Sequence, residues 1–286
     1  MDRSSGSSAA HVDFGMPDSS LVQAVNIASR QGQVRLAREG HWIVNDQYAA
    51  DPTLIELVMT VVQQVRVVRP VSRLNFKEIR SDLETSGRRV ELMLADGALF
   101  TFYAGGNATK TVSYFGNADL TQIVVMEIPG YSNYIAGIFE LSHNQWRDRL
   151  LFRSGWRSLQ SLSIDYRKGD DLRLAFDDRS FQVENVPVVD STFLSGYVGQ
   201  FQYFQLNDYL TPGKYPAYDS LVHTPPMAIL TLEDIDTAMD RTLSVYQKLP
   251  GQQFYLLTNA TGDMMVIDQS RMEKILARPT DFEVKN

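Results

Sequence analysis

Cysteine is absent from all 286 residues. That excludes disulfide cross-links and thiolate metal centres, and it fits a reducing compartment and a bacterial envelope alike. Positive charge is in deficit, with 27 Lys and Arg against 34 Asp and Glu and a formal net charge of -7. The deficit is concentrated late: residues 156–286 hold 12 Lys and Arg against 18 Asp and Glu. No basic stripe is available to neutralise phosphates, which argues against a nucleic-acid partner. Long apolar runs are missing too. The greasiest stretch, LIELVMTVVQQVRVV at 54–68, is broken by Glu56, two glutamines and Arg66. It falls short of the roughly 18–20 apolar residues of a bilayer span and reads as an amphipathic helix. The opening MDRSSGSSAAHVDFG is small and polar, without the apolar centre of a signal peptide, and residues 1–19 are expected to form a flexible tail.

Catalytic signatures are equally sparse. There are four histidines, His11, His41, His143 and His223. No two stand at helical i, i+4 spacing, so a histidine zinc site has no support. His11 falls in the tail and His41 reads as a turn residue. His143 and His223 remain as the two that a fold could bring to a Ser or a carboxylate. Neither a nucleophile elbow nor a phosphate loop occurs. Tyr103-Ala104-Gly105-Gly106-Asn107 is the nearest approach to a glycine-rich loop. No helix start follows it, so it reads as a strand-to-strand turn needing positive φ. The acidic pairs Asp170-Asp171 and Asp177-Asp178 fall at expected hairpin turns, and Glu233-Asp234 with Asp236 lacks the spacing of a calcium loop. No cofactor is expected.

What the chain does have is an internal echo. VQAVNI (22–27) returns as LQSLSI (159–164), Gly32 as Gly169, QVRLA as DLRLA, HWIVN as SFQVEN, and Asp51 as Asp190. The apolar content of 44% is ample for two packed cores. The expected architecture is α+β, two tandem repeats of one module, over 20–153 and 154–286 with a linker near Arg153–Gly155. Each module should hold three strands, a helix, four antiparallel strands and a closing helix. The strands of the first are placed at 22–28, 33–39, 41–46, 89–95, 98–105, 111–116 and 121–129 from period-two alternation and turn residues. Asp51-Pro52 opens its helix, Arg69-Pro70 ends it, a second short helix spans 77–86, and another covers 132–139. In the second copy, Asp190-Ser191 opens a helix striped by Phe193, Tyr197, Phe201 and Phe204, and 269–278 closes the module.

The W-x-V-N phrase (Trp42, Val44, Asn45), the helix running into R-P-V-S (69–72), VVMEIPGYSNYIAGIF (124–139) and W-R-D-R (146–149) together resemble the bacterial domain-of-unknown-function family 4340, in its Bacteroidetes-type form. The resemblance extends over nearly the whole chain from about residue 20. It implies an extracytoplasmic body of the cell envelope, an N-terminal anchor that this sequence does not contain, and gliding-type ABC transporter components as genomic company. No catalytic residue carries over from it.

Two places are candidate contacts. Trp146, Arg147 and Arg149 combine residue types that dominate binding hot spots, or else Trp146 anchors the junction between copies while an arginine pairs with a carboxylate. Tyr209, Tyr215 and Tyr218, with Pro212 and Pro216, form an aromatic, proline-rich segment over 207–226, shortly after Tyr203, that is long for a loop. The expectation is a non-enzymatic accessory protein of the envelope, with membrane transporter subunits or another envelope protein as partner. The alternative is a module binding a glycan or peptide through the 207–226 segment or a cleft between modules. A hydrolase is the weakest reading.

Overall fold

A computed structural model describes residues 14–30 and 32–284. His11 and most of the expected tail lie outside the described residues, as does Gln31 in the first hairpin turn. Phe14 is already buried, edge-on to Phe100 and Phe115, so packing begins well before residue 20. The fold is mixed α/β, dominated by large antiparallel sheets with few and short helices. It divides into two compact units at Asp148/Arg149.

The first unit runs β1 (Val22–Ser29), β2 (Gly32–Glu39), β3 (His41–Val44), β4 (Tyr48–Ala49), α1 (Pro52–Gln64), β5 (Arg66–Pro70), α2 (Phe76–Thr85), β6 (Arg88–Leu94), β7 (Leu99–Gly106), β8 (Ser113–Asn117) and β9 (Ile123–Glu127). A 3-10 helix, Ile135–Glu140, and α3 (His143–Trp146) finish it. Its sheet has the order β4-β3-β2-β1-β6-β7-β8-β9-β5. Asp51 caps α1 by accepting from the N–H groups of Thr53 and Leu54, and Pro52 takes the first helical position, where a missing N–H costs nothing. The buried stripe Ile55, Val58, Val61 and Val62 seats the helix on the sheet.

That helix does not reach residue 68. It stops at Gln64, Val65 turns extended, and Arg66–Pro70 becomes an edge strand against β9. Two valines favour the strand, Pro70 disfavours a helical Arg69, and an edge is where a strand tolerates proline. The helix expected over 132–139 is the tighter 3-10 form. Buried Ser113 on β8 accepts from the N–H groups of both Ile135 and Ala136 and so fixes its start.

The second unit runs β10 (Leu150–Phe152), β11 (Leu159–Tyr166), β12 (Leu172–Asp177), β13 (Ser180–Val183), α4 (Ser191–Gly199), β14 (Phe204–Gln205), β15 (Asp208–Leu210), α5 (Pro216–Leu221), β16 (Ala228–Asp234), β17 (Arg241–Val245), β18 (Phe254–Asn259), β19 (Met264–Asp268), α6 (Gln269–Ile275) and a 3-10 helix, Pro279–Phe282. The order β13-β12-β11-β16-β17-β18-β19-β15 makes the main sheet, and β10 pairs with β14 apart from it. Residues 153–155 are therefore no linker. β10 is already paired, and fully buried Ser154 donates its N–H to the Phe201 carbonyl. The expected aromatic stripe is also split. Phe193 and Tyr197 lie on α4, Phe201 in the turn after it, and Phe204 on β14.

The glycines of Tyr103–Asn107 are not a turn. Gly105 and Gly106 end β7 without positive φ. A Cβ on Gly105 would stand 2.8 Å from Leu83 Cδ2, and one on Gly106 would strike the Tyr134 ring and come within 2.7 Å of the Val112 carbonyl. Close packing selects glycine here.

Candidate functional site

The three residues of the Trp146 cluster do not share a surface. Trp146 is fully buried in the core of the first unit, and its carbonyl accepts the Asp51 N–H at 2.8 Å. Arg147 is buried as well, its guanidinium 3.6 Å from the centroid of the Tyr48 ring. Arg149 begins the second unit, where its carbonyl accepts from the Leu206 N–H. Trp146 is an anchor and offers no face to a partner.

The 207–226 segment is not one long loop. It supplies the edge strand β15, antiparallel to β19, and the one-and-a-half-turn helix α5. Strand alternation sends Tyr209 and Leu210 to opposite sides of the sheet. Tyr209 packs against the main core of the unit, while Leu210 joins a second cluster with Tyr246, Leu256, Met264 and Val266, on which Tyr218 of α5 rests.

Beside that cluster opens a cleft of about 540 Å³, within the range of small-molecule sites. Its aromatic walls are Tyr215, Tyr218 and Phe254, and its polar groups include Asp208, Lys214 and Gln252. Tyr215 is 41% exposed. Burial raises the Tyr218 phenol above its ordinary value. Asp219, on α5, accepts from the N–H groups of Gly213 (2.9 Å) and Tyr215 (3.2 Å). The turn carrying Lys214 and Tyr215 is therefore held in place before any ligand arrives. Sequence reasoning found Tyr215 and Tyr218 through their aromatic and proline-rich surroundings. It missed Lys214, which lies between Pro212 and Pro216, and it could not reach Gln252 and Phe254, which only strand pairing brings to the cleft.

Two other surfaces also escaped the sequence. In the second unit, Trp156 (42% exposed) and Phe176 (45% exposed) flank buried Phe181 with ring centroids 5.0 and 5.2 Å away. In the first, a groove of about 440 Å³ runs between α1 and residues 128–141, past Leu57, Tyr131 and Ile138, with no charged side chain in its lining.

His41 opens β3, His143 opens α3, and His223 follows α5. Among the described residues neither the His143 nor the His223 imidazole has a hydrogen-bond partner, and no group of three His, Asp or Glu could hold a metal ion. Among the same residues no helix is long and apolar enough to cross a membrane. Asp171 accepts from the Tyr166 N–H, as a turn aspartate does. No family model, curated protein or solved structure matches the chain.

Proposed function

We propose that the chain is a non-enzymatic binding protein made of two copies of one module, and that the second copy holds the ligand, a glycan or a peptide. The sequence echo supports the duplication, and so does the strand order, which is the same in both sheets (three strands, then four, then an edge strand) once the two-residue β4 at the far edge of the first is set aside. Both helix-capping aspartates take the carbonyl of a late buried aromatic, Asp51 that of Trp146 and Asp190 that of Phe282, each at 2.8 Å.

The observation that carries the ligand site is a difference between the copies at one matched place. Aligning Val25 with Leu162 and Ile27 with Ile164, the ladders match Leu92 with Leu232, Ala104 with Val245, and Phe115 with Leu257. The next residues are then Gly105 with Tyr246 and Gly116 with Thr258. In the first unit Leu83 of the ten-residue α2 sits down onto those two glycines, and the cleft left beside it holds only about 250 Å³. In the second, Tyr246 and Thr258 stand up from the sheet beneath the six-residue α5, and the cleft opens alongside. Tyr246 fills the space beneath the shorter helix rather than lining the cleft, whose walls come from β15, α5, the turn before it, Phe254 and Val266.

An extracytoplasmic place in the cell envelope, and an accessory role beside an ABC transporter, belong to the same proposal. They rest on the family resemblance alone. Isothermal titration with cell-wall glycan and peptide fragments tests the binding role. Binding that weakens on Tyr215→Ala is the expected result, and no heat with any fragment sinks it. Gentle crosslinking in native membranes tests the accessory role, which fails if no transporter subunit is captured reproducibly.

A further inference from the structure

We propose that the cleft of the second unit takes a neutral saccharide, an inference that rests on the reading of this cleft as the binding site. Three features of the site select among ligand classes.

The first is the combination of ring faces with mixed polar groups. Tyr215, Tyr218 and Phe254 offer flat apolar faces, while Asp208 accepts, Lys214 donates, and Gln252 does both. A sugar ring has an apolar C–H face and hydroxyls that each donate and accept, so it can use all of these at once. A purely apolar ligand would leave the Asp208 and Lys214 charges desolvated without compensation.

The second is charge. Asp208 and Lys214 balance each other across the lining, and the second unit as a whole holds 14 Lys and Arg against 18 Asp and Glu. An anionic ligand would meet a field of its own sign. A neutral ligand meets no such opposition.

The third is the edge strand. Extended peptides are commonly held by adding a strand to an exposed sheet edge, through main-chain donors and acceptors. β15 is three residues long, and the Tyr209 N–H is spent on the Asp208 carboxylate at 2.9 Å. That edge is a poor template for a peptide backbone. Recognition in the cleft falls to side chains, as a sugar requires. The Asp219 clamp on the Gly213–Tyr215 turn keeps Lys214 and Tyr215 ordered in advance, which lowers the entropy lost on binding.

Isothermal titration of the full chain against chitotetraose, maltotetraose, an acidic tetrasaccharide of galacturonate and a neutral tetrapeptide tests the assignment. At least one neutral tetrasaccharide should bind. Tyr215→Ala should weaken it by about fivefold or more and Lys214→Ala by a smaller factor. Tyr203→Ala, an exposed tyrosine outside the lining, should leave it unchanged. Circular dichroism confirms that each variant folds. Preference for the tetrapeptide or the acidic sugar, still weakened by Tyr215→Ala, overturns the saccharide and leaves the cleft as the site. Sugar binding indifferent to both Tyr215→Ala and Lys214→Ala overturns the cleft itself. So does a complete absence of heat.

Discussion

Asp51 donates its main-chain N–H to the carbonyl of Trp146 at 2.8 Å, while its carboxylate accepts from the N–H of Thr53 at 2.9 Å. One residue thereby ties the start of α1 to the last aromatic of the first unit, 95 positions on (146 minus 51). Trp146 fills the core with its ring and holds the helix cap with its backbone. Phe282 stands in the same relation to Asp190 in the second unit, packed edge-on to Phe193 and Tyr197.

Truncating either aromatic should therefore be costly. Trp146→Ala and Phe282→Ala are each predicted to lose about 3–5 kcal/mol, the usual range for deleting a buried aromatic. Urea denaturation followed by circular dichroism measures this. A Trp146→Ala protein with an unshifted midpoint would remove the anchor role.

The caps should act more gently. Asp51→Ala and Asp190→Ala are each predicted to cost about 1 kcal/mol, because each leaves helix N–H groups without an acceptor. Asn at either position should restore most of the loss, since its side-chain carbonyl can accept in the same place. Equal losses for Ala and Asn would mean that the charge, rather than the hydrogen bond, stabilises the helix start.

Much of this frame was legible in the sequence, and the limits of that legibility have physical causes. Period-two alternation placed most strands, and Asp51-Pro52 and Asp190-Ser191 marked true helix starts. The end of α1 was misread because VVQQVRVV satisfies both periods, and only the open edge of β9 decides for a strand. Gly105 and Gly106 looked like a turn because nothing local reveals Leu83 and Tyr134 pressing on them. Tyr215 and Tyr218 were visible as an aromatic run. Asp208, Gln252 and Phe254 become their neighbours only once β15 pairs with β19 and β19 with β18.

Glycines divide into those with a neighbour at the Cβ position and those without. Gly106→Ala should lose about 1–3 kcal/mol, since the Val112 carbonyl is backbone and cannot swing away. Gly196→Ala should gain about 0.5–1 kcal/mol. It lies inside α4 with ordinary backbone angles and nothing within 4 Å, so alanine adds helix propensity and narrows the unfolded ensemble. Thermal melts of the two variants should move in opposite directions, and a shared direction would contradict the packing described for β7.

Alkali should unfold the second unit through its buried tyrosines. Burial raises the Tyr197 phenol well above its ordinary value, with Tyr166 and Asp281 nearby adding to the effect. Burial raises Tyr166 too, against an opposing pull from Arg278, whose guanidinium lies 3.4 Å from the centroid of its ring. Both hydroxyls donate to carbonyls, Tyr197 to Ile275 and Tyr166 to Ala277, each at 2.9 Å, and a phenolate would lose that bond. Below pH about 10 the tyrosines are neutral in the folded and unfolded chains alike, and their stabilisation is intact. Above it the unfolded chain releases protons that the folded chain keeps, so stability falls as pH rises toward the folded-state values. For Tyr197 alone the slope is about 1.4 kcal/mol per pH unit. Urea midpoints at pH 9 and pH 11, read beside phenolate absorbance, should show the loss, and Tyr197→Phe should flatten it. A midpoint that holds steady from pH 9 to pH 11, or that falls equally in Tyr197→Phe, would mean that these phenols are not the source of the loss.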